Sequence, residues 1–86
     1  MDDAACVREF ENLAERLGIE IRRIAGGPSG LCTVRGRRVL FLDRDSDNAS
    51  VLTVFAREFR GLNMEGMFLV PALRKRLGKE NESSGW

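Results

Sequence analysis

Asp43, Asp45 and Asp47 stand two residues apart, and alternate carboxylates on a tight loop are how a calcium site of the EF-hand type begins to wrap its ion. The glycine that should follow is missing, and Val54 stands where the twelfth-position glutamate is needed. Capping of the following helix is therefore the expectation for this stretch. Gly26-Gly27-Pro28-Ser29-Gly30 has the glycine content of a phosphate loop, yet neither GxxxxGK[ST] nor GxGxxG can be drawn through it. It reads as a connection between strands. Serines occur at 29, 46, 50, 83 and 84, but with no histidine in the chain none has the usual base to activate it. The same absence removes the commonest zinc ligand. Cys6 and Cys32 fall in different elements and form neither a CxxC pair nor a zinc set, so each is expected as a small buried hydrophobe rather than half of a disulfide. No catalytic residue, metal or cofactor is assigned.

Charge is unevenly distributed although the net is only +1. Residues 1–20 hold six acids against two bases, whereas 21–44 hold six arginines against Asp43 alone. Arg22, Arg35, Arg37 and Arg38 are thus a candidate anion-binding ribbon. Nucleic acid is not the favoured partner, because the chain has neither a strongly basic balance nor an array of stacking aromatics. Solvation of a turn and pairing with the acidic first helix are the competing readings.

The elements that must position these residues follow from periodicity. Cys6, Phe10, Leu13, Ala14 and Leu17 recur at helical steps, and Gly18 can supply a left-handed C-cap. Ile19-Glu20-Ile21-Arg22 alternates like a half-buried strand. Leu31–Val34 and Val39–Leu42 flank Arg35-Gly36-Arg37-Arg38, the pattern of a tight hairpin. Its second strand is apolar on both faces and should be the interior one, covered by helices on one side and by something else, such as a partner chain, on the other. A second helix is expected over about 47–62, a short fourth strand over Met67–Val70, and a last helix from Pro71 through Leu77. Residues 1–78 are expected to form the domain and 79–86 a frayed tail.

Gly26 to Leu62 resembles the hairpin and helix core of the IrrE/ImmA-type zinc metallopeptidases, in which a glycine-rich loop, a hairpin and a capped turn lead to a helix reading A-H-E-L-G-H. Here that helix reads Ala56-Arg57-Glu58-Phe59-Arg60-Gly61, so Ala56 and Glu58 match while Arg57 and Gly61 stand at the histidine positions. The resemblance implies a metal-free relative that kept the hairpin and helix as scaffold.

The expected fold is α+β: a small antiparallel sheet of three or four strands packed by two or three helices, in the order α-β-β-β-α-(β)-α. With an acidic N-terminus, no signal-like apolar stretch and no apolar run long enough to span a bilayer, the chain is expected in the cytoplasm. The expected function is a noncatalytic interaction module binding another protein or itself as a homodimer. Leu40, Leu42, Met64, Met67, Phe68, Leu69 and Val70 are the candidate interface, since three short helices leave one sheet face uncovered.

Overall fold

The computed structural model describes residues 1–78, so the tail assigned to 79–86 lies outside the described residues. Helix α1 spans Asp3–Arg16 and is capped by Asp2, whose side chain accepts a hydrogen bond from the Ala5 N–H at 2.8 Å. Its buried stripe is Cys6, Val7, Phe10, Leu13 and Ala14. Gly18, at φ 73°, ends it as expected: the Gly18 N–H donates to the Glu15 carbonyl and the Ile19 N–H to the Ala14 carbonyl, the paired bonds of a Schellman motif.

Strands β1 (Glu20–Ile24), β2 (Gly30–Val34) and β3 (Arg37–Asp43) follow. The hairpin between β2 and β3 turns on Arg35 (φ 52°) and Gly36 (φ 79°), the two positive φ angles that a type I′ turn requires. Helix α2 (Asn48–Phe59) is capped by the Asp47 carboxylate, which accepts from Ser50 N–H at 2.9 Å, and α3 spans Pro71–Arg76.

The chain is α+β, but its sheet is mixed, not antiparallel. Strand order is β1-β3-β2, with β1 parallel to β3 and β2 antiparallel to it. The physical reason lies in the connection from Ala25 to Ser29. A two-residue turn can join only adjacent strands, whereas five extended residues reach ~17 Å and clear the ~10 Å that separates strands two places apart. β3 then fills the gap, which makes it the interior strand that its two-sided apolarity required. After it the Arg44 N–H donates to the Ile24 carbonyl at 2.8 Å.

A fourth strand over Met67–Val70 does not form. Gly66 (φ 81°) closes a turn in which the Met67 N–H donates to the Met64 carbonyl, Arg16 Nη1 donates to the Phe68 carbonyl, and Pro71 lacks a donor. The backbone groups of this segment are engaged elsewhere than in a sheet.

All three helices lie on one side of the sheet. Phe10 of α1 stacks on Phe55 of α2 with ring centroids 4.9 Å apart, and Phe59 meets both rings edge-on. Leu40 and Leu42 from β3 complete this core, with Met64, Leu69, Leu73 and Leu77 closing its lower end.

Candidate functional site

Strand alternation and register decide what faces away from the helices. Leu40 and Leu42 point into the core, Leu40 in register with Leu31 on β2 and Ile21 on β1 and Leu42 with Arg23 on β1. The other row of β3, Arg37, Val39, Phe41 and Asp43, therefore lies on the helix-free face. Beside it in register are Glu20, Arg22 and Ile24 of β1 and Gly30, Cys32 and Val34 of β2. On this face Val39 is buried by its own chain, at 1% exposure. Here a shallow groove of about 280 Å³ opens between Ile24, Pro28, Cys32 and Phe41, floored by Gly30. Cys32 is exposed, Ile24 and Val34 are about one-third exposed, and Phe41 is half-buried.

This geometry corrects the interface expected from sequence. Leu40, Leu42, Met64 and Leu69 are buried in the chain's own core and present no free surface, while Met67 and Val70 pack against it partly buried. Phe68 alone is exposed, at 72%, and it stands by itself. The uncovered apolar face was anticipated, but it carries the opposite row of β3. Cys6 is buried as expected, whereas Cys32 is not, because it falls in the outward row of an edge strand.

The arginines expected to form one ribbon are divided by the same alternation. Arg22 pairs with Glu20 on the open face, and Arg37 Nη1 lies 3.5 Å from the other oxygen of that carboxylate. Hydrogen bonding from Arg22, with its charge and that of Arg37, holds Glu20 below the usual carboxylate range. Arg38 points to the helical side, donating to the Leu17 carbonyl at 2.7 Å, and Arg35 sits exposed at the hairpin tip. Pairing with the acidic first helix is made instead by Arg23, 3.2 Å from Glu11.

Glu58, which spacing alone did not single out except through the resemblance, bridges α2 and β2. Its Oε1 accepts from the Leu31 N–H at 2.7 Å. That N–H points outward from the sheet edge, because β2 turns its other bonding row toward β3. Gly30 leaves the room: a Cβ there would lie 3.2 Å from the same oxygen. Arg57 supports the contact, its Nε 3.1 Å from Glu58 Oε2 and its Nη2 3.3 Å from the Ser29 carbonyl. The Leu31 N–H, opposed by burial and aided by Arg57, keeps Glu58 below its ordinary pKa. Glu58 thus acts as a strand clamp, with Arg57 holding it.

The three aspartates are also accounted for locally. Asp43 accepts from the Asp45 N–H at 2.9 Å, Asp45 lies near Arg44, and Asp47 caps α2. Among the described residues no three His, Cys, Asp or Glu side chains come together as a metal-binding group. No helix among them is long and apolar enough to cross a membrane. A larger cleft of about 430 Å³ between α2 and α3 is lined by Arg57, Arg60 and Arg76, each engaged: Arg57 as above, Arg60 on the Arg76 carbonyl, Arg76 on Asp3.

Comparison of the chain with protein-family models, curated proteins and solved structures finds no match. What the fold and site define is a class of architecture: a small α+β domain with helices on one face of a three-stranded mixed sheet.

Proposed function

We propose that this chain is a noncatalytic interaction module that binds a protein partner through the helix-free face of its sheet. One observation carries the reading: the apolar groove between Ile24, Pro28, Cys32 and Phe41 opens on the face of the sheet that no helix of the described residues covers. The division of Arg22, Arg35, Arg37 and Arg38 between two faces and a turn tip favours this reading over a nucleic-acid interface, which needs its cations on one surface.

A second reading, a metal-free relative of the metallopeptidases kept as scaffold, is favoured by the contact of Glu58 with the hairpin. It is compatible with the first, since a retained scaffold can serve as a binding module.

The test is the size of the species that contains the chain in soluble extract of the cells that make it. Wild type is expected above the monomer mass and Phe41→Lys at it, with both proteins giving the same circular dichroism. Wild type eluting as a free monomer from extract, and staying monomeric when the pure chain is raised to about 1 mM, overturns the proposal.

A further inference from the structure

We infer that the partner is a second copy of this chain, packed face to face over Phe41 and Cys32 about a two-fold axis that runs across the strands. The inference rests on the interaction-module reading and names its partner.

Two sheet faces can be brought together by two-fold symmetry only if the axis lies in the plane between them. Aligned sheets keep their strands within about 30° of each other, which leaves two choices. With the axis along the strands, β3 lies over β3 in the same direction, and Arg37 meets Arg37. With the axis across the strands at the level of Leu40, β3 lies antiparallel over its copy. Arg37 then faces Asp43, and Val39 faces Phe41, because each pair is equally distant from Leu40. On β1, Arg22 is in register with Phe41 and Glu20 with Val39, so Arg22 of one copy lies over Glu20 of the other. On β2, Cys32 is in register with Val39 and Gly30 with Phe41, so the Cys32 side chain meets the space above the partner's glycine. Every charged position within the three strands of this face meets its opposite, and the half-buried Phe41 of each copy lies over the level of the other's buried Val39. Arg37 is 71% exposed and held only by its 3.5 Å pairing with Glu20, an exposed contact that it can exchange for the partner's Asp43.

Pairing through the sheet edge is the competing way to join two copies, and the Glu58 clamp disfavours it. The Leu31 N–H that a neighbouring strand would need at the β2 edge already donates to Glu58. Three strands of five to seven residues offer a face of roughly 14 by 20 Å, which places the contact among weak, transient associations rather than obligate ones.

Sedimentation velocity of the pure protein, from about 10 µM to about 1 mM, tests this. The wild-type mass is expected to rise from monomer to dimer across that range. Arg37→Asp and Asp43→Arg, each folded by circular dichroism, should each require about tenfold higher concentration, because each sets two like-charge contacts in the dimer. The two changes combined in one chain should restore wild-type association. Alkylation of Cys32 should slow as concentration rises while buried Cys6 stays unreactive. A wild-type monomer at the highest concentration overturns the second-copy inference, and if the extract species persists the interaction-module reading survives it. A dimer that the single changes leave unaltered, or that the double change does not restore, overturns the arrangement.

Discussion

Removing the Glu58 carboxylate should loosen the β2 edge in a way that depends on pH. A hydrogen bond to a charged group stabilises by about 1.5–3 kcal/mol, and the 23% exposure of this side chain moves the expectation for Glu58→Ala to about 1–2 kcal/mol. For a domain of this size that is a drop of roughly 1 M in the urea midpoint. Glu58→Gln keeps an oxygen acceptor for the Leu31 N–H and loses only the charge, so it should lie between the two. The native carboxyl titrates below its unfolded value. Its contribution is therefore complete above the unfolded pKa of about 4.3 and is lost as pH falls through the lower native value. Urea melts at neutral pH should separate wild type from Glu58→Gln, and melts in the acid range below about pH 4 should bring the two together. A gap between wild type and Glu58→Gln of equal size at both pH values would refute the charge argument. A Glu58→Ala protein with the wild-type midpoint would refute the clamp itself.

Three further outcomes follow from the core and the turns. Phe55→Ala removes the ring stacked on Phe10 and should cost about 3–5 kcal/mol, much of the total stability of so short a chain; a cooperative urea transition shifted by less than about 1 kcal/mol would contradict the packing. Arg35→Asn places a residue tolerant of positive φ at the first turn position and should raise the melting temperature by a few degrees, about 0.5 kcal/mol, whereas Gly36→Val at φ 79° should lower it. Phe68→Ser, at a side chain that projects into solvent, should leave stability within about 0.5 kcal/mol of wild type in the same melts and leave association unchanged in sedimentation.

The elements legible in the sequence are those whose signals are local. Asp47 and the Val51, Leu52, Phe55, Phe59 stripe announced α2, and Gly36 between two apolar runs announced the hairpin. The parallel pairing of β1 was not legible, because nothing within either strand records which neighbour it takes; only the length of the Ala25–Ser29 connection bore on it. The open face was legible as a consequence of β3 being apolar on both sides, but not its membership. Assigning Leu40 and Leu42 to the outward face is an error of parity, and one residue of parity reverses the whole row. Glu58 could be found only by knowing that α2 passes behind Gly30, twenty-eight residues earlier in the chain.

The placement of β3 between its two predecessors also governs the order in which this sheet can assemble. β2 and β3 are joined by two residues and can zip together on the microsecond scale of hairpins. β1 has no partner until that hairpin exists, since its only neighbour is the strand that is made last. The transition state for folding should therefore hold the hairpin, with α2 clamped behind it, while β1 docks afterwards against the free edge of β3 and carries α1 onto the phenylalanine cluster. Substitutions on the hairpin will slow folding, and those on β1 will mainly hasten unfolding.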